Sequence, residues 1–252
     1  ILSEFLLLCV KICAMTRLSV NINKIATIRN ARGGNMPNVV QFAIDCERFG
    51  AQGITVHPRP DERHITTEDT YAIAKIVKTE YNIEGYPDAR YMKLISDIKP
   101  TQATLVPDGP DVLTSNAGWD TEKHQAFLSE TLQEISSIGV RTSVFIEPNK
   151  HWIELAKKAG ADRIELYTGP YAEAFTKDPN AAIAHYLDAI DFAVSIGLEI
   201  NAGHDLNQEN VRFFKQAVRQ LDEVSIGHAL ISDALYLGIE NTIQRYLYLL
   251  RD

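Results

Sequence analysis

The sequence predicts a single-domain (β/α)₈ barrel, a parallel eight-stranded sheet closed on itself. Three observations carry this reading. The chain has 252 residues, close to the ~250 typical of such barrels. Short β-rich runs alternate with helix-like segments along its whole length. Ionisable side chains gather at one end of those runs, where barrels of this kind place their chemistry.

The β-rich runs are Leu18–Asn23, Gly53–His57, Asn82–Tyr86, Gln102–Pro107, Thr142–Glu147, Arg163–Thr168, Leu198–Ala202 and Val224–Gly227. The helical patterns between them are Asn38–Gly50, Thr67–Glu80, Asp88–Ile98, Asp120–Ile138, Asn149–Ala159, Ala181–Ile196 and Asn207–Leu221, with Ser232–Leu250 closing the chain. Thr67 is a candidate N-cap. Gly139, Gly160 and Gly197 each follow a helical pattern, where a left-handed residue ends a helix at little cost. β-then-α units joined by short links favour a parallel sheet. A doubly wound open sheet is the alternative. It calls for a glycine-rich first turn, and KIATIRNARGGN offers Gly33 and Gly34 without the G-x-G-x-x-G spacing.

Composition is ordinary for a globular domain, with 45% apolar and 23% charged residues. A net charge of −8 argues against nucleic acid or an anionic membrane as a general partner. Cys9, Cys13 and Cys46 show no zinc or disulfide spacing, so a reducing, cytoplasmic setting is expected. Residues 1–14, ILSEFLLLCVKICA, carry an apolar run from Phe5 to Val10. It is shorter than the ~20 residues of a membrane span. It also lacks the basic start and cleavage site of a secretory signal. Residues 1–14 are read as an extension ahead of a barrel domain over 15–252.

The chemistry concentrates at strand ends. Asn21 and Asn23 close the first run and His57 the second. Glu84 sits in the third, Glu147 closes the fifth, and Glu165 lies in the sixth. His204 and His228 follow the seventh and eighth. One such histidine is as often structural as catalytic, but eight strand ends converging on a cup bring several together. A carboxylate within a strand, as at Glu84, is costly to bury without purpose. No H-x-H or H-E-x-x-H pair suggests a metal, and no lysine suited to a Schiff base lies at the ends of runs five to seven. Two places suit phosphate. One comprises NAGHD (Asn201–Asp205) with SIGHALISDA (Ser225–Ala234), where glycines and a helix N-terminus expose backbone N–H groups. The other is PRPDERH (Pro58–His64), with Arg29 and Arg32 nearby.

The segments VNINKIATIRNARGG, GITVHPRPDERHI, NIEGY, LVPD, FIEP, IELYTGPYA, NAGHDL and IGHALISDAL together resemble the pyridoxine 5′-phosphate synthase family. The likeness runs from about Thr16 to the C-terminus, with every motif in order. It implies a (β/α)₈ enzyme that condenses 3-amino-2-oxopropyl phosphate with 1-deoxy-D-xylulose 5-phosphate. The products are pyridoxine 5′-phosphate, phosphate and water, and no cofactor or metal is implied. By the same resemblance His57 and Glu84 are proton acceptors and His204 a proton donor. Asn21, Arg32, Gly227 and His228 match the amino-ketone phosphate pocket. Arg59, His64 and Thr114 match contacts to the deoxyxylulose phosphate, Thr114 lying in a segment that suits a lid. The resemblance also implies a homo-oligomer, commonly a homo-octamer. Two departures stand out. Asn23 and Lys24 replace a common Asp-His pair otherwise assigned to the sugar phosphate, and Asp205 replaces a common glycine in the substrate pocket. Two other readings remain open at this point: a different phosphate-binding barrel lyase or isomerase, and a barrel that binds metabolites without catalysis.

Overall fold

The computed structural model describes residues 15–107 and 117–251. The eight strands are β1 (Arg17–Asn21), β2 (Gly53–Val56), β3 (Glu80–Gly85), β4 (Gln102–Leu105), β5 (Arg141–Ile146), β6 (Arg163–Tyr167), β7 (Glu199–Gly203) and β8 (Glu223–Ile226). Each pairs in parallel with the next, and β8 pairs with β1 through Leu18↔Val224 and Val20↔Ile226. The sheet is therefore closed, which excludes the doubly wound alternative.

The helices are α1 (Asn23–Asn30), α2 (Val39–Arg48), α3 (Thr67–Ala74), α4 (Ala89–Ile98), α5 (Gln125–Ser137), α6 (Lys150–Ala159), α7 (Gly169–Phe175), α8 (Pro179–Ser195), α9 (Val211–Ala217), α10 (His228–Leu237) and α11 (Ile239–Leu249). Capping explains several starts. Asn38, Asp88, Asn149 and Asp178 each accept a backbone N–H of the first turn. Four expectations need correction. The cap of α3 is Thr66, not Thr67, in a reciprocal capping box with Asp69. That helix stops at Ala74 because Glu80 already pairs into β3. The first strand ends at Asn21, and Asn23 opens α1 instead. The terminal helical pattern is two helices, divided at Gly238 with φ +75°.

Residue alternation gives the sheet two unlike faces. Leu18, Val20, Ile54, Val56, Ile83, Val144, Ile146, Ile164, Leu166, Ile200, Val224 and Ile226 are buried in the apolar core shared with the helices. The alternate positions carry Ser19, Thr55, Asn82, Gln102, Thr104, Ser143, Arg163, Glu165, Asn201 and Glu223, all buried. Arg163 on β6 reaches Glu80 on β3 at 3.4 Å and Gln102 on β4 at 3.1 Å. Strands that are not neighbours meet in this way only across the barrel lumen. The lumen is thus filled by polar side chains, many of them hydrogen-bonded to one another, where bulky branched residues usually dominate. Ser19 meets Thr55 at 2.7 Å, Asn82 donates to Thr55, and Thr104 donates to Asn82 at 2.9 Å. At the N-terminal mouth Arg17 pairs with Glu80 at 2.7 Å, and Arg141 with the same carboxylate.

Candidate active site

The C-terminal strand ends form two groups. The first is built by β1, β2 and β3. Asn21 donates from Nδ2 to Glu84 Oε2 at 3.4 Å and accepts the backbone N–H of Asn23 at 3.1 Å. Asn23 in turn accepts the backbone N–H of His57 at 2.9 Å. The abrupt change from β1 to α1 makes this possible, because it turns both asparagines towards the same edge. His57 Nδ1 lies 3.9 Å from Glu84 Oε2, too long for a hydrogen bond. Both side chains are buried. Burial holds the His57 imidazole well below its ordinary pKa, aided by the His64 ring and the guanidinium groups of Arg59 and Arg90. His57 is therefore neutral at pH 7 and can accept a proton.

The connection from β2 to α3 carries Arg59 and His64, both buried. The His64 ring centroid is 6.1 Å from that of His57. His64 Nδ1 accepts the Ile65 backbone N–H at 2.9 Å, so the neutral ring keeps its proton on Nε2 as a donor. Burial, reinforced by Lys24 and Arg59, pushes this imidazole down to about 4. A brace outside the cup fixes the connection. Arg29 on α1 holds Asp69 on α3 through two bonds of 2.5 and 2.7 Å and donates to the His64 carbonyl at 3.3 Å. Asn30 donates to the same carbonyl at 2.9 Å, and Arg90 on α4 donates to the Pro58 carbonyl. Asp69 was not singled out from sequence. The Thr66-x-x-Asp69 capping spacing was its one readable signal.

The second group lies at the ends of β7 and β8. His204 takes φ +95°, a left-handed conformation rare for residues with a side chain. Its Nδ1 lies 2.6 Å from Asp205 Oδ2. The ring meets the edge of Tyr167 from β6, with centroids 5.4 Å apart. His204 holds the Asp205 carboxyl below the ordinary carboxylate range, and His228 adds to this. Gly203 sits where a Cβ would come within 2.4 Å of Glu165 Oε1. Glu165 points into the lumen and is buried. Burial, with the neighbouring Glu223, pushes its carboxyl well above the ordinary carboxylate range, against a lowering by Arg163. Gly227 ends β8 and opens α10, and a Cβ there would lie 3.1 Å from Asn21 Cβ. This contact joins the two groups into one cup.

The structure thus gathers Asn21, Asn23, His57, Arg59, His64 and Glu84 on one side, and His204, Asp205, Gly227 and His228 on the other. Lys24 sits in the first turn of α1, close enough for its charge to act on His64. Arg32 is exposed in the turn after α1 and makes no side-chain hydrogen bond or ion pair with the described residues. Thr114 lies outside the described residues. Among the described residues no cluster of three or more His, Cys, Asp or Glu side chains could hold a metal. None of their helices is long and apolar enough to cross a membrane.

Comparison with known proteins accords with this geometry. Residues 18–252 match the family described as pyridoxal phosphate biosynthesis protein PdxJ. A pyridoxine 5′-phosphate synthase of Bacteroides fragilis is 59% identical over 237 residues, covering 94% of this chain and 100% of the relative. One from Cytophaga hutchinsonii is 60% identical, covering 92% and 98%. Among solved structures, a tryptophan synthase from M. tuberculosis superposes with a TM-score of 0.64 at 10% identity, covering 95% of this chain and 94% of the other. Phosphoribosyl anthranilate isomerase of Thermotoga maritima gives 0.59 at 14% identity, covering 94% and 98%. These two share the fold alone. On its sequence, over nearly its whole length, the chain belongs to the pyridoxal phosphate biosynthesis protein PdxJ family.

Proposed function

We propose that this barrel is a pyridoxine 5′-phosphate synthase, condensing 3-amino-2-oxopropyl phosphate with 1-deoxy-D-xylulose 5-phosphate. One observation carries the reading beyond family membership: a buried, neutral His57 stands 3.9 Å from a buried Glu84, across a cup from a histidine held against a carboxylate. The amine must attack a ketone, and loss of phosphate and water must follow. Those steps need bases near a carbinolamine and near a C–H, and an acid near a leaving oxygen. His57 and Glu84 take the protons, and His204 returns one.

Asn21, Arg32, Gly227 and His228 receive the amino-ketone phosphate, with the open backbone N–H groups at the start of α10 supplying donors. Arg59, His64 and Thr114 receive the sugar phosphate. Asn23 and Lys24 join them. The Asn23 side-chain oxygen is engaged by His57, which leaves its amide N–H₂ as the donor. The Asp205 carboxylate turns onto His204, so at that position the backbone serves the substrate.

Purified protein given both substrates is expected to release pyridoxine 5′-phosphate, seen by absorbance and mass, and to make none from either substrate alone. Turnover of one sugar phosphate by itself would instead favour a lyase or isomerase. We also infer a homo-oligomer, with the octamer of the family as the expected form. Leu235, Tyr236 and Tyr248 on α10 and α11 are 70%, 91% and 59% exposed, and exposed large apolar side chains of this kind suit contact with a second copy. Sedimentation velocity tests this. A cytoplasmic location, supported by the free buried thiol of Cys46, is tested by cell fractionation.

A further inference from the structure

Residues adjacent in an extended chain point to opposite faces, yet His204 and Asp205 meet side chain to side chain at 2.6 Å. The left-handed backbone of His204 allows it. The turn is held from several directions. Thr168 donates to the Gly203 carbonyl from both Oγ1, at 2.6 Å, and its backbone N–H, at 3.2 Å. Asn210 donates to the Asp205 carbonyl at 3.3 Å. Tyr167 closes on the imidazole edge-on, and Glu165 Oε1 lies against Gly203. A non-glycine residue at positive φ is strained and persists only when its surroundings enforce it. Here the enforced conformation produces one specific contact, the histidine–carboxylate pair.

We propose that Asp205 is a positioning residue for His204: its carboxylate accepts the Nδ1–H, fixing the ring's orientation and leaving Nε2 to exchange the proton with substrate. This rests on the reading of His204 as the proton donor. The logic is that of any imidazole whose second nitrogen is held by a carboxylate, which selects the tautomer and balances the charge of the doubly protonated ring. The pair is also self-contained. Asp205 faces His204 and His228, with Tyr167 beyond the ring.

The test uses full-length wild type, D205N, D205A and D205E in the two-substrate assay, with histidine-selective ¹⁵N spectra of each. The His204 signals are assigned by their loss in H204N. D205A is expected to lower kcat about 10- to 100-fold, with the KM of either substrate within about threefold. D205N keeps an oxygen acceptor without the charge and should fall between, and D205E should recover part of the loss. The wild-type spectrum should show Nδ1 protonated, and D205A should shift the population towards Nε2–H. The proposal is overturned if D205A keeps wild-type kcat, if the loss falls mainly on the KM of a phosphorylated substrate, or if the tautomer is unmoved. Should wild type form no pyridoxine 5′-phosphate, the functional reading fails, while the spectra still decide whether Asp205 sets the imidazole.

Discussion

The two sides of the cup are built on different principles. On the β1–β3 side each polar group has its place set by another: Asn21 by Glu84, Asn23 by His57, and His64 by Ile65, Arg29 and Asn30. Apart from Asn30, the side chains named there are buried or half-buried. On the β7–β8 side His204 and Asp205 are 31% and 45% exposed at their side chains, His228 is exposed, and backbone strain does the placing. The first side keeps histidines uncharged by withdrawing water. The second leaves a histidine in contact with water and gives it a carboxylate. Burial keeps the His57 and His64 imidazoles neutral, while the His204 ring is oriented by a hydrogen-bonded carboxylate.

The largest effect should come from the buried side. H57N and E84Q are expected to lower kcat about 10²- to 10⁴-fold with an unchanged circular dichroism spectrum. Wild-type rates in either would remove that side from the chemistry. The brace comes next. D69A leaves the buried Arg29 guanidinium unpaired, and breaking such a pair costs about 3–5 kcal/mol, read by denaturant unfolding. A loss under about 1 kcal/mol, the range of surface pairs, would show that the brace is not what holds the buried side.

On the other side G203A drives a Cβ against Glu165 and the Ser225 carbonyl, an overpacking cost of about 1–3 kcal/mol. The activity loss should exceed what that destabilisation explains, because His204 is the next residue. The gentlest probe is pH. His64 protonates near 6.5 when unfolded and near about 4 in the fold. The unfolded chain binds more protons between these values, so stability is full above 6.5 and falls with pH towards 4. The slope should be about 1.4 kcal/mol per pH unit from this residue, with His57 adding to it. H64Q should flatten the slope.

Much of this was legible in the sequence, and for identifiable reasons. The strands announced themselves by β-branched runs ending in polar residues, and His57, Glu84 and His204 stand at those ends. What stayed hidden was relational. Helix α1 escaped notice because its buried face is Ile25, Ala26 and Arg29, and a charged residue at a core position blurs the apolar period. Arg29 and Asp69 are 40 residues apart in the chain, and no local pattern pairs them. Alternation marked Glu165 as lying on one face of β6 but could not say whether that face was lumen or solvent. The His204–Asp205 contact depends on a positive φ at His204 itself, a residue type that does not advertise that torsion.

The polar lumen has a consequence for the reaction itself. The floor beneath Glu84 is Asn82, hydrogen-bonded to Thr55 and Thr104, which are tied in turn to Ser19 and Gln102. Charge that appears in the cup during turnover therefore meets amide and hydroxyl dipoles already held in place, not hydrocarbon that cannot respond or bulk water that must rotate first. Fixed dipoles of this kind lower the reorganisation energy of each proton transfer, because their orientation was set when the chain folded.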